Sequence, residues 1–169
     1  MNGMRGPRRT ASPVRLTLNT VLGGDIDGAW WPRSGALAAE LPELIDALHA
    51  QLGEIVDINL NWSATMGAPI LETHSSAALR NMRWNDSRQR IMVVVGKTAC
   101  ARLLVIPHMT APALGRMVLR YAATMAILSD EHDCPEYAAA DRVVQAARAQ
   151  SAASAGRGSA TPAVESAGR

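Results

Sequence analysis

The apolar positions of the chain fall into two kinds of pattern, and the first predicts β-strands. Apolar and polar residues alternate over residues 14–18 and again over residues 54–62, as they do in a half-buried strand. Residues 90–95 and 101–107 are almost continuously apolar and flank the short segment Gly96-Lys97-Thr98-Ala99. This spacing predicts an antiparallel hairpin made of two central strands.

The second pattern is helical spacing, in which apolar residues recur every three or four positions. Between residues 34 and 52 the leucines follow it, although Pro42 interrupts the segment. Because a proline inside a helix removes a hydrogen bond, we expect a short turn to about Glu40 and then the main helix, ended by Gly53. Two more helices are predicted to open near Pro112 and at Pro135.

The order of these elements predicts the fold class. Strands joined by hairpins, with helices between and after them, indicate an α+β fold. We expect an antiparallel or mixed sheet of about four to five strands with the helices packed on one face.

The two ends of the chain differ in composition from its centre. Residues 1–13 form a basic arm punctuated by Gly and Pro, and residues 151–169 are rich in Ser, Ala and Gly. Both segments are predicted to be disordered, because they offer little apolar surface to bury. Residues 14–150 are predicted to form a single α+β domain, which agrees with a total length of 169 residues.

Composition narrows the function classes. The formal net charge of +2 is too small to indicate a nucleic-acid or membrane partner by itself. No apolar run approaches the ~20 residues of a membrane span, and no signal peptide is recognisable, so we expect a cytoplasmic protein. Cys100 and Cys134 lack Cys-x-x-Cys spacing, and the histidines lack metal-motif spacing, so no metal and no cofactor is predicted.

The most specialised stretch is residues 25–34, with the sequence Asp-Ile-Asp-Gly-Ala-Trp-Trp-Pro-Arg-Ser. Asp-x-Asp-Gly is typical of a turn, and on an extended chain Trp30 and Trp31 point to opposite sides. One interpretation is a structural loop that closes the end of the sheet with aromatic bulk. The other is a binding loop in which Trp30 and Trp31 form a platform and Asp25, Asp27 or Arg33 makes polar contacts.

The leading functional hypothesis is a non-enzymatic binding or regulatory domain that uses the Trp30-Trp31 loop, with a homodimer as a possible assembly. The sequence contains no nucleophile elbow, P-loop or Gly-x-Gly-x-x-Gly motif. The candidate contact residues are Asp25, Asp27, Trp30, Trp31, Arg33 and His108.

Two alternatives stay open. A small enzyme acting on an anionic substrate would use Asp27 and His108 as acid and base, with the helix after Thr110 holding the anion. A nucleic-acid-binding protein would use the basic region from Arg80 to Arg102, in which Trp84 is placed to stack on a base.

Several segments also resemble a known family. The residues that carry the resemblance are Val14-Arg15-Leu16-Thr17-Leu18, Leu22-Gly23, Asp27-Gly28-Ala29-Trp30-Trp31-Pro32-Arg33-Ser34, Glu40-Leu41-Pro42 and Leu44. Together with the strands near residues 93–95 and 103–107, they resemble an uncharacterised family of small actinobacterial proteins with an Asp-Gly-Ala-Trp-Trp-Pro signature, over about residues 14–125. The resemblance implies an actinobacterial source and a single domain of unknown function, and it assigns no catalytic residue.

Overall fold

The computed structural model describes residues 13–61 and 89–158. Most of the predicted basic arm, the end of the predicted tail and the segment between residues 61 and 89 lie outside the described residues. The elements in chain order are β1 (Leu16–Leu18), β2 (Gly28–Trp30), α1 (Leu37–Leu52), β3 (Ile55–Leu60), β4 (Ile91–Gly96), β5 (Cys100–Val105), α2 (Pro112–Ala122), a 3-10 helix (Ser129–Asp133) and α3 (Pro135–Gly158).

The strands form one mixed sheet in the order β1-β2-β5-β4-β3. The pairs β1–β2, β5–β4 and β4–β3 are antiparallel, whereas β2 and β5 run parallel. The α+β class and the mixed five-stranded sheet are therefore confirmed, as is the β4–β5 hairpin. Strand β2 was not expected, because its three residues lie inside the stretch that the sequence reads as a loop.

The helices pack on both faces of the sheet, so the expectation that they share one face is wrong. Helix α1 covers one face, where Leu44, Leu48 and Leu52 pack with Met92 and Leu103. Helices α2 and α3 cover the other face, where the buried core includes Ile91, Leu104, Ile106, Met117, Val118, Val143 and Val144. The physical reason is visible in the strands, because neighbouring residues of β4 and β5 are both apolar and point to opposite faces.

Two helix boundaries also differ from expectation. Helix α1 continues through Pro42 as a single helix from Leu37 to Leu52, and Gly53 then ends it in a left-handed conformation with φ of 72°. Helix α3 extends to Gly158, beyond the domain boundary that the composition places at residue 150. Among the described helices, none is long and apolar enough to cross a membrane.

Candidate functional site

Asp27 is a buried anchor of the backbone. Its side chain is 1% exposed. One carboxylate oxygen accepts hydrogen bonds from the Gly23 and Gly24 N–H groups at 2.8 and 2.9 Å, and the other accepts one from the Arg102 N–H at 2.9 Å. Its own N–H donates to the Arg102 carbonyl, and its carbonyl accepts from the Asn19 N–H. Asp27 therefore joins the turn before β2 to strand β5, and both carboxylate oxygens are occupied.

Gly28 allows β1 to approach β2 closely. A Cβ atom added at this position would lie 1.9 Å from the carbonyl oxygen of Thr17 and 3.0 Å from the Cα of Leu18. These are backbone atoms, which cannot rotate away as a side chain can. Asp27 and Gly28 thus both fix the geometry of the sheet. Asp27 joins the turn to β5, and Gly28 lets β1 come close to β2.

Trp30 and Trp31 enter opposite faces of the sheet, as period-two geometry requires of an extended chain. Trp30 is 1% exposed and belongs to the α1 face, and Trp31 is 4% exposed and belongs to the α2–α3 face. The Trp31 ring lies against Gly115 of α2, where an added Cβ would be 2.6 Å from it. Both indoles are core side chains in this structure. The burial favours the interpretation of the loop as aromatic closure of the sheet over that of an open platform.

The side chains of Arg15 and Arg33 hold this loop in place. The Arg15 guanidinium lies 3.8 Å from the Trp31 ring centroid and donates to the carbonyls of Trp31 and Pro32 at 3.1 and 2.8 Å. Burial, together with the nearby charge of Arg33, lowers the pKa of Arg15. Arg33 forms an ion pair with Glu43 at 3.1 Å and donates to the Pro13 carbonyl.

Glu40 closes the segment that leads into α1. Its carboxylate accepts hydrogen bonds from the Arg33 and Ser34 N–H groups and from the Ser34 hydroxyl, with donor–acceptor distances of 2.8 to 3.1 Å. Burial raises the pKa of Glu40, but these hydrogen bonds and the charge of Arg33 outweigh it and hold the pKa below its usual value.

The predicted acid–base pair is not brought together. Asp27 lies beside Arg102, whereas His108 follows the carboxyl end of β5 at Val105. The stretch from Arg102 to Val105 alone spans ~10 Å in an extended strand. Asp25 is exposed, whereas Asp27 is buried. Of the candidate residues, Trp31, Arg33 and His108 lie towards the carboxyl ends of β2 and β5.

The basic region predicted for nucleic acid is described only in part. Arg80, Arg83, Trp84 and Arg88 lie outside the described residues. Lys97 forms an ion pair with Glu54, and the Arg102 guanidinium donates to the Gly24 carbonyl at 3.2 Å.

A shallow pocket that the sequence analysis missed lies between the end of α2, the 3-10 helix and α3. Its volume is about 270 Å³, and we call it the tyrosine pocket. The residues that line it are Tyr121, Thr124, Met125, Ile127, His132, Tyr137 and Arg148. One signal could have found it, because the chain has only two tyrosines and both lie here.

The aromatic rings of the tyrosine pocket are in contact. The Tyr121 and Tyr137 rings meet edge to face with centroids 5.6 Å apart, and His132 stacks on Tyr137 at 4.4 Å and 17°. The Tyr121 hydroxyl donates to the Asp141 carboxylate, and this hydrogen bond, with burial, raises the pKa of Tyr121. The walls are thus held by packing and by a hydrogen bond.

Two features of the pocket are unusual. Arg148 is a partly buried residue, its guanidinium lies 5.9 Å from the Tyr121 ring centroid, and within the described part of the chain it makes no ion pair and no hydrogen bond. Thr124 has φ of 50°, which is strained for a β-branched residue. It is held there by its N–H bond to the Tyr121 carbonyl and by its hydroxyl, which donates to the Asn19 side chain at 2.8 Å.

Residues 13–61 and 89–158 contain no group of three or more His, Cys, Asp or Glu side chains that could hold a metal ion. No curated protein and no solved structure matches the chain. One family model does match, over residues 15–122, which includes the whole sheet and α2 but ends before α3. The resemblance to an uncharacterised family is thereby confirmed, while the actinobacterial source and the signature stay predictions. The chain belongs to DUF5994, a family of unknown function.

Proposed function

We propose that the protein is a non-enzymatic domain that binds a small molecule, and that the tyrosine pocket is its binding site. The observation that carries the proposal is the Arg148 guanidinium, which lies over an aromatic ring of the pocket and has no ion-pair or hydrogen-bond partner among the described residues. A guanidinium forms strong, charge-assisted hydrogen bonds with an acceptor that reaches it. A ligand with such an acceptor would supply the interaction that the described residues do not.

The shape and composition of the tyrosine pocket support the same proposal. Ligand sites are concave, mostly apolar, and contain a small number of placed polar groups. Met125 and Ile127 supply apolar surface next to the rings of Tyr121 and Tyr137, and Arg148 supplies the polar group. The strained backbone of Thr124 at the rim adds support, because strain of this kind tends to be kept at functional positions.

The groups first suspected of acid–base chemistry favour binding over catalysis. Both oxygens of Asp27 accept backbone hydrogen bonds, and His108 lies at the other end of β5. Residues 25–34 would then hold the strands in place, and residues of α2, α3 and the segment between them would contact the ligand. This assignment replaces Trp30 and Trp31 as the proposed contact residues.

The test is an NMR titration of ¹⁵N-labelled protein with a library of one-ring fragments that includes carboxylates, amines and neutral amides. Binding to the tyrosine pocket is expected to shift the amide signals of residues 121–148 and to weaken when Met125→Trp narrows the rim. Met109→Trp is the matched control, because Met109 is also an exposed methionine but does not line the pocket. No shift with any fragment, or shifts that map outside residues 121–148, would refute the proposal.

The homodimer and the cytoplasmic location also stand as proposals. Light scattering coupled to size exclusion tests the first, and a mass of one chain would contradict it. Fractionation of cells that express the protein tests the second.

A further inference from the structure

We infer that the ligand of the tyrosine pocket is a small aromatic carboxylate, with its carboxylate on Arg148 and its ring against the apolar wall. This inference rests on the proposed function and narrows it to one ligand class.

The charge of the pocket favours an anion. Among the described residues that line it, Arg148 is the one with a permanent charge, and none is Asp or Glu. Two carboxylates next to lining residues have other partners, since Asp141 accepts from the Tyr121 hydroxyl and Glu131, which precedes His132, pairs with Arg120 at 2.8 Å. A cationic ligand would bring a second positive charge close to the guanidinium of Arg148, and like charges repel each other.

The geometry of the cation favours a carboxylate over a dispersed or bulky anion. A guanidinium is planar and offers parallel N–H donors that match the two oxygens of a carboxylate. Arg148 lies near the face of Tyr121, which orders the guanidinium before any ligand arrives. Less side-chain freedom is then lost on binding, which favours affinity.

The walls and the volume of the pocket indicate the size and polarity of the uncharged part of the ligand. The walls are two tyrosine rings with Met125 and Ile127, so a flat apolar group gains most from contact with them. The volume of about 270 Å³ lies just below that of pockets for drug-sized ligands, which begin near ~300 Å³. A closed, dry cavity of ~150 Å³ is enough for benzene, so the volume of this more open pocket is sufficient for one ring and one carboxylate.

The experiment compares three probes by NMR titration of the labelled full chain. Benzoate carries both the ring and the charge, benzamide keeps the ring without the charge, and acetate keeps the charge without the ring. We expect benzoate to bind at least tenfold more tightly than either of the others. In Arg148→Met, benzoate is expected to fall to the level of benzamide, and in Arg148→Lys part of the preference is expected to return.

The control is Arg142→Met, which removes an exposed arginine from the same helix outside the pocket. It is expected to leave the tenfold preference for benzoate unchanged. Benzamide binding as tightly as benzoate, or a preference for benzoate that survives Arg148→Met, would overturn the inference while leaving the proposed function in place. Failure of all probes and of the whole fragment library would overturn both, so the two failures can be told apart.

Discussion

Gly28→Ala tests most directly whether the close approach of β1 to β2 requires a glycine at position 28. The added methyl group would lie 1.9 Å from the Thr17 carbonyl oxygen and 2.8 Å from the Thr17 carbonyl carbon. Ordinary van der Waals contact begins near 3.4 Å. Because the obstacle is the backbone of β1, the conflict can be relieved only if β1 moves away from β2.

The loss in the free energy of unfolding can be estimated from the pairing and packing of β1. Residues Leu16 and Leu18 of β1 pair with Trp30 and Gly28 and pack against the α1 face of the core. Overpacking with movable side chains costs ~1–3 kcal/mol, and here a paired strand must shift as well, so we expect a loss of about 3–5 kcal/mol in the free energy of unfolding. Alanine restricts the unfolded chain more than glycine does, which offsets only ~0.4–1 kcal/mol of this loss.

Urea unfolding followed by tryptophan fluorescence measures the change, because Trp30 lies on the neighbouring strand and reports its displacement. Gly24→Ala is the matched control, since a Cβ there would meet its nearest atoms at 3.6 Å, which is ordinary contact. We expect the control to stay within ~1 kcal/mol of the wild type. Equal stabilities of Gly28→Ala and Gly24→Ala would refute the argument that close approach of β1 requires the glycine.

Two further predictions concern carboxylates of the same region. Asp27→Asn replaces one acceptor oxygen by a donor that faces a backbone N–H, so the free energy of unfolding at pH 7 should fall by about 1.5–3 kcal/mol, and a change below ~0.5 kcal/mol would contradict the anchoring role. Glu40 has a lowered pKa in the folded state, so its stabilising effect is complete above the usual glutamate pKa and is lost as the pH falls through the folded-state value. Glu40→Gln should therefore be less stable than the wild type at pH 7 and lose less stability between pH 5 and pH 3, as read from urea midpoints. Glu43→Gln is the control, and an acid response of Glu40→Gln equal to that of the wild type would contradict the prediction.

Local pattern was enough to predict most of the elements. The hairpin of β4 and β5 follows from two apolar runs around a four-residue segment, and the end of α1 follows from Gly53. These features depend on interactions between residues that are close along the chain, so a sequence pattern carries them. The opposite directions of Trp30 and Trp31 belong to the same group, because alternation along an extended chain is a local property.

Tertiary structure decided the rest. Strand β2 has three residues and exists because β5, from a distant part of the chain, pairs with it in parallel. The residues that flank Asp27 are typical of a turn. Its role as an anchor, however, depends on the N–H of Arg102, which is 75 residues away along the chain. No local pattern records such a partner.

The candidate binding site shows the same division. The sequence shows two tyrosines, a histidine and an arginine scattered between residues 121 and 148, with no spacing typical of a site. They line one pocket because α3 folds back against α2 and buries the face of the sheet that β4 and β5 leave apolar. The local sequence thus determined which segments are helices and strands. Burial of a sheet that is apolar on both faces decided which residues come into contact, because the hydrophobic effect depends on the apolar area that is buried and not on the order of residues along the chain.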